Sequence, residues 1–89
     1  MECEIEGPAK ARAKQRGFLV RKVRWIGRKG APDDFFARED RAPFFIEFKD
    51  RGKSVDWGSV QGREIKRLRA AGVTVYVINN LEDAYALFE

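Results

Sequence analysis

The segment FFIEFK at residues 44–49 is the most strand-like part of the sequence, because its charged residues recur at every second position. With a period of two, Glu47 and Lys49 share one face with Phe45. The opposite face is entirely apolar and consists of Phe44, Ile46 and Phe48. Charge inside an apolar strand is costly and is normally avoided. The pattern therefore indicates either a functional site on one face of a sheet or an edge strand whose salt-bridged face meets water.

Upstream of this strand, the sequence predicts a helix and two further strands. REDRAP is typical of a turn, and DDFFAR at residues 33–38 predicts a strand. FLVRKVRWI at 18–26 mixes β-branched and aromatic side chains with charged ones, so it also predicts a strand. A first helix is predicted over roughly residues 2–16, with Gly17 as its stop.

Downstream, a second helix follows the polar loop DRGKSVD and ends at Gly72. Its apolar positions recur at helical spacing and are Trp57, Val60, Ile65, Leu68 and Ala71. VTVYVI at 73–78 predicts a buried strand, and LEDAYALF at 81–88 predicts a closing helix. The predicted order is α-β-β-β-α-β-α, an α/β fold with a small mixed sheet flanked by helices. No repeat or linker divides the chain, so we expect a single domain over residues 1–89.

The composition excludes several classes of function. A single cysteine, Cys3, leaves no internal disulfide, and the absence of histidine excludes Cys/His zinc sites and histidine-based catalysis. No apolar run resembles a signal peptide or approaches a membrane span. We therefore expect an intracellular, cytoplasmic protein of a bacterium or of a virus inside its host.

The positive charge is concentrated in one half of the chain. Residues 7–32 carry nine Lys or Arg and no acid, whereas residues 70–89 carry three acids and no base. Either one end of the molecule is built for polyanions, or an ordinary solvated surface has segregated its charge by chance. Arg28 and Lys29, in the glycine-flanked loop GRKGAP, are well placed to hold a DNA backbone.

Asp33 opens its strand after that loop, and strand pairing would bring it to the same end of the sheet as Glu47 and Lys49. Two carboxylates suit Mg²⁺ or Mn²⁺, which prefer oxygen ligands. Such a metal polarises a phosphoryl oxygen, while Lys49 orients the attacking water or neutralises developing charge. Since adjacent strand residues point to opposite faces, only one of Asp33 and Asp34 is expected to reach the metal. The pattern predicts phosphodiester hydrolysis without histidine.

Gln61 is unusual because it lies on the apolar stripe of the second helix, four residues before Ile65. It either faces the site, where it would bind a water, a carboxylate or a phosphate, or marks the edge of the stripe. Lys10, four residues after Glu6, either pairs with that acid or reaches a phosphate.

These elements together resemble the VRR-NUC family of PD-(D/E)xK nucleases over nearly the whole chain. The motifs that carry the resemblance are Ile5-Glu6, Gly30-Ala31-Pro32-Asp33, Glu47-Phe48-Lys49, Gln61 and Leu68-Arg69-Ala70-Ala71-Gly72, followed by VTVYVI. The resemblance implies a restriction-endonuclease-like fold and a DNA nuclease that uses Mg²⁺ or Mn²⁺. It also implies site residues: metal ligands Asp33, Glu47 and the Phe48 carbonyl, a catalytic Lys49, and support from Gln61 and Glu6, with Glu6 also a candidate ligand.

The sequence departs from the family pattern after Glu6, where Gly7-Pro8 follows at once. Proline is best tolerated in a first helical turn, so the helix is expected to begin near Pro8 with Glu6 just outside it. In that case Glu4 would replace Glu6 at the site, or the N-terminal acids would only complement the positive end of the helix.

The leading interpretation is an endonuclease, and the alternative is a catalytically silent DNA-binding or accessory module with the same fold. A core this small leaves apolar surface that is hard to cover, which favours a homodimer. The large side chains behind that expectation are Phe35, Phe36, Phe44, Phe45, Trp57, Tyr85 and Phe88. Single-domain members of the VRR-NUC family resemble junction resolvases, so the resemblance implies branched DNA, such as a Holliday junction, as the substrate.

Overall fold

A computed structural model describes residues 3–89. The predicted order α-β-β-β-α-β-α is confirmed, although residue 2, in the predicted first helix, lies outside the described residues. The elements are α1 (Glu6–Gln15), β1 (Leu19–Lys22), β2 (Asp34–Arg38), β3 (Arg41–Phe48), α2 (Val60–Ala70), β4 (Val75–Ile78) and α3 (Leu81–Leu87). None of the helices within residues 3–89 is long and apolar enough to cross a membrane.

The four strands form one mixed sheet in the order β1-β2-β3-β4. β1 and β2 pair antiparallel, as do β2 and β3, whereas β3 and β4 pair parallel. A parallel pair needs a crossover connection, and α2 supplies it. The sheet therefore confirms the α/β fold class, with β1 and β4 as its edges.

The two faces of β3 lie against different helices, as the alternation of FFIEFK predicts. The larger core joins the sheet to α1 and α3, and from β3 it takes Phe44, Ile46 and Phe48. Phe45 instead packs on a smaller apolar cluster under α2, which consists of Val55, Ile65 and Val75. Glu47 shares the face of Phe45, so it lies on the α2 side of the sheet.

β1 is shorter than the predicted strand at 18–26. It ends at Lys22, directly opposite Asp34, where β2 begins. The residue before Asp33 is Pro32, which has no N–H to extend the ladder. Ile26, which was predicted inside the strand, is instead 92% exposed.

α2 begins later, and β3 earlier, than the sequence predicts. Trp57 precedes the helix, because the Ser59 hydroxyl caps α2 by accepting from the Gly62 N–H at 3.0 Å. Of the predicted apolar stripe, Trp57 and Val60 are exposed and Ile65 is buried. The predicted turn REDRAP is reduced to residues 39–40, because Arg38 ends β2 and residues 41–43 begin β3.

Candidate active site

Glu47, Lys49 and Gln61 form a hydrogen-bonded chain on the α2 side of the sheet, which we call the Glu47 group. The Gln61 amide nitrogen donates to the Glu47 carboxylate at 2.8 Å, and the Lys49 ammonium donates to the Gln61 amide oxygen at 2.5 Å. The ammonium is also 3.9 Å from the Glu47 carboxylate. Of the two alternatives for Gln61, the structure shows the first: its side chain faces this group.

The Glu47 carboxylate is held in an unfavourable setting for its charge. Burial raises the pKa of Glu47, and the neighbouring charges of Asp33 and Asp34 raise it further. Lys49 and the Gln61 hydrogen bond oppose this effect without reversing it. A cation bound at Glu47 would compensate the carboxylate for its lost hydration and for its repulsion by Asp33 and Asp34, so the electrostatics favour a cation there.

Asp33 lies just before β2, with its backbone carbonyl accepting from the Val23 N–H at 2.8 Å. Strand alternation places it on the side of Phe35 and Glu47, opposite to Asp34. Its side chain is about half exposed, and among residues 3–89 its ion pair is with Lys22, at 3.6 Å. Asp33 is therefore near the Glu47 group and accessible, but not hydrogen-bonded to it.

The backbone carbonyl of Phe48 points toward the same place. The Lys49 N–H donates to the Ile78 carbonyl of β4 at 2.9 Å. The Phe48 carbonyl belongs to the same peptide unit and points the opposite way, toward β2. If the β2–β3 register is continued beyond the pair Asp34–Ile46, Pro32 lies opposite Phe48. Because proline has no N–H, the ladder supplies no donor to this carbonyl.

These donors fit a hard divalent cation. Two carboxylates and a backbone carbonyl provide oxygen ligands of the kind that Mg²⁺ and Mn²⁺ take, with waters or substrate oxygens completing the shell. Residues 3–89 contain no cluster of three or more acidic or thiol side chains arranged to hold a metal. An ion held only by two carboxylates and one carbonyl would keep several positions open for water and substrate.

A second group of charges, the Glu6 cluster, lies on the α1 side of the sheet and consists of Glu6, Lys10, Lys22 and Asp34. The Lys10 ammonium is 3.2 Å from the Glu6 carboxylate and 3.0 Å from that of Asp34. The Lys22 ammonium is 3.0 Å and 3.1 Å from the same two groups. Two lysines thus bridge two buried carboxylates, which is how buried charge is normally tolerated.

The pKa values of the two acids shift in opposite directions within the cluster. Burial alone would raise the pKa of Glu6, but hydrogen bonds from Lys22 and Lys10 and its contact with Asp34 lower it. Burial raises the pKa of Asp34, and the adjacent Glu6 carboxylate adds to this despite the lysines.

The cluster changes two interpretations made from sequence. α1 begins at Glu6, with Pro8 in its first turn, so Glu6 is inside the helix and buried, while Glu4 is exposed. The structure does not bring Glu6 into the Glu47 group, because Lys10 and Lys22 hold its carboxylate on the other face. Of the two alternatives for Lys10, the structure shows the pairing with Glu6, and its ammonium also contacts Asp34.

Lys22 was not predicted from the sequence as part of any site, and Asp34 was not among the predicted metal ligands. They meet because Lys22 of β1 lies directly opposite Asp34 of β2. The available signals were a lysine in the middle of the predicted strand at 18–26 and an acid near the start of the predicted strand at 33–38, but the register that pairs them depends on the length of the loop between the strands.

The basic loop that carries Arg28 and Lys29 is anchored against the start of α2. Gly30 has a φ of 79°, and a Cβ added to it would lie 2.7 Å from the Cα of Gln61. Only glycine allows so close an approach. The loop that presents Arg28 and Lys29 to solvent is therefore packed on the residue that bridges Glu47 and Lys49.

Replacing Gly30 by alanine is expected to destabilise the protein more than the same change at Gly27. Both glycines have positive φ, which costs an alanine about 1–2 kcal/mol, but Gly27 has open space around it. Gly30→Ala adds a backbone clash worth about 1–3 kcal/mol more. Urea unfolding of the two variants measures the difference in the free energy of unfolding, and equal losses would contradict the close packing of this loop on Gln61.

Comparison with known proteins agrees with this architecture. The sequence matches no protein-family model and no curated protein. A solved structure described as "VRR_NUC domain" matches with a TM-score of 0.78 and 33% sequence identity, covering 93% of this chain and 88% of that one. The likeness therefore spans nearly the whole chain. The chain therefore belongs to the VRR_NUC domain family.

Proposed function

We propose that this VRR_NUC domain is a divalent-metal-dependent deoxyribonuclease that hydrolyses phosphodiester bonds at the Glu47 group. The observation that carries the proposal is the Glu47–Gln61–Lys49 chain, in which a buried carboxylate with a raised pKa lies beside a positioned ammonium. Perturbed carboxylates beside such partners are typical of functional sites.

Each residue has a distinct role in this proposal. Asp33, Glu47 and the Phe48 carbonyl would hold Mg²⁺ or Mn²⁺, which polarises the phosphoryl oxygen and lowers the pKa of a bound water. Lys49 stabilises the negative charge that develops as the phosphodiester is attacked. Gln61 holds Lys49 and Glu47 in a fixed relation, because its amide donates to one and accepts from the other.

Arg28 and Lys29 are proposed to bind the DNA backbone near this site. Both are exposed and lie in the loop that packs on Gln61. A basic loop in that position would bring a phosphate toward Asp33 without reading base sequence.

The proposal is tested by incubating the protein with branched and linear DNA, with and without Mn²⁺, beside Glu47→Ala. Cleavage that requires the metal and is lost in the variant supports the enzyme. If the protein binds DNA but does not cleave it under any of these conditions, the result would instead favour the alternative of a catalytically silent DNA-binding module.

We further propose that the protein acts as a homodimer on branched DNA. The aromatic count does not support this as the sequence suggested, because Phe36, Phe44 and Phe88 are buried within one chain. The support comes instead from β1, an edge strand with Leu19 exposed, and from Ile26, which is exposed in the segment that follows β1. A free strand edge and exposed apolar side chains are features with which a second copy can pair.

Light scattering at micromolar concentration is expected to give about twice the 10.3 kDa mass of the chain. Two identical sites at a fixed separation suit paired nicks across a four-way junction, so the junction should be cleaved faster than linear duplex. Leu19→Lys/Ile26→Lys should give the monomer. A monomeric wild type would contradict the proposed dimer. Equal cleavage of junction and linear duplex at matched salt would contradict the proposed preference for branched DNA.

A further inference from the structure

A pocket of about 330 Å³ opens beside Asp33, between the end of β1 and the basic loop. Lys22, Arg24 and Arg28 line it together with Trp25, and Asp33, one of the proposed metal ligands, also lines it. Its volume is at the lower end of the range for pockets that bind small organic groups. The pocket therefore combines cations, an aromatic ring and one carboxylate of the proposed active site.

The cations of this pocket are available to a ligand. The Lys22 ammonium already contacts the carboxylates of Glu6 and Asp34. Arg24 and Arg28, in contrast, are exposed and form no ion pair or side-chain hydrogen bond within residues 3–89. An arginine guanidinium binds a phosphate with two parallel hydrogen bonds. Two such groups at the mouth of one pocket favour an anionic ligand with phosphate geometry.

Trp25 is fixed in place and half-buried. Its indole N–H donates to the Pro32 carbonyl at 2.7 Å, and its ring lies 5.6 Å from that of Phe45, tilted by 49°. A ring with its polar atom already satisfied and a second ring beside it cannot easily turn away. It offers the pocket a rigid flat surface, which is what stacking with a nucleobase requires.

We propose that this pocket binds one unpaired nucleotide, with its base stacked on Trp25 and its phosphate held by Arg24 and Arg28. A base inside a duplex is covered by its neighbours and cannot reach such a surface unless it leaves the stack. The pocket therefore selects DNA that carries an unpaired nucleotide next to the position of cleavage. That adjacency rests on the proposed function, whereas nucleotide binding by the pocket does not.

The test uses Trp25 as its own reporter. In a Trp57→Phe background Trp25 is the single tryptophan, and Trp57 lies outside the pocket. Titration with a thymidine tetranucleotide in EDTA is expected to quench Trp25 fluorescence to saturation, while a blunt hairpin duplex should not. By fluorescence anisotropy of the labelled tetranucleotide, Trp25→Ala should bind about 5- to 100-fold more weakly, as expected for loss of one stacked base, and Trp25→Phe should bind with intermediate affinity.

Other outcomes separate this inference from the proposed function. Quenching by the duplex equal to that by the tetranucleotide, or undiminished binding by Trp25→Ala, overturns the nucleotide pocket even if the protein cleaves DNA. Saturable quenching by the tetranucleotide alone supports the pocket even if no cleavage is found with any metal. Arg24→Ala/Arg28→Ala should weaken binding and flatten its salt dependence, and an unchanged salt dependence would contradict the phosphate contacts.

Discussion

Glu47→Gln is expected to abolish DNA cleavage while leaving the protein at least as stable as the wild type. Loss of a carboxylate that holds the metal should lower the cleavage rate by about 10³-fold or more, since the metal supplies several kcal/mol of transition-state stabilisation. The Gln61 amide can still donate to the new amide oxygen, so the local packing is preserved. Cleavage rates and thermal unfolding of the same preparation measure both effects.

The expected gain in stability follows from the pKa of Glu47, which burial raises in the folded state. A raised pKa means that the charged form opposes folding at neutral pH. This cost disappears as the pH falls through the folded and then the unfolded pKa. The stability advantage of Glu47→Gln should therefore be largest at neutral pH and fade in acid.

Glu82→Gln is the matched control, because it makes the same substitution at an exposed glutamate of α3. It should change neither the cleavage rate nor the thermal stability. Cleavage by Glu47→Gln at the wild-type rate would show that this carboxylate is not needed. A large loss of stability would show instead that Glu47 is structural.

Lys49→Ala should retain metal and lose most of the cleavage rate. Its ammonium donates to Gln61 and lies 3.9 Å from the Glu47 carboxylate, but an ammonium cannot itself be a metal ligand. Removing a group that acts on charge developing in the transition state typically costs about 10²- to 10³-fold in rate. Single-turnover cleavage at saturating Mn²⁺ isolates this effect from binding.

Lys53→Ala is the control for Lys49→Ala, because it removes an exposed lysine from the loop that follows the same strand. It should leave the single-turnover rate unchanged. If Lys49→Ala instead cleaves normally once the Mn²⁺ concentration is raised, Lys49 only tunes metal affinity and its proposed role is wrong.

The alternation of FFIEFK was enough to predict which side chains of β3 share a face. Period two alone separates Glu47 and Lys49 from the apolar residues, and the structure has Phe44 in the larger core and Phe45 under α2. Helical spacing likewise placed Gln61 on the side of α2 that faces the sheet. Local periodicity was sufficient because each of these relations lies within one element.

Relations between elements were not predictable in the same way. The pairing of Lys22 with Asp34 depends on the strand register, and a shift by one residue would exchange the faces of Asp33 and Asp34. Glu6 was expected outside α1 because of Pro8, yet the helix starts at Glu6, where two lysines from different elements neutralise its buried carboxylate. Tertiary contacts of this kind leave no periodic signal in the sequence.

Calorimetric titration with Mn²⁺ shows whether Asp33 and Glu47 together bind a divalent cation. The wild type should bind Mn²⁺ with measurable heat, and Asp33→Ala/Glu47→Ala should not. Glu39→Ala/Glu82→Ala, which removes two exposed acids elsewhere, should bind as the wild type does. Unchanged Mn²⁺ affinity in Asp33→Ala/Glu47→Ala would contradict the account.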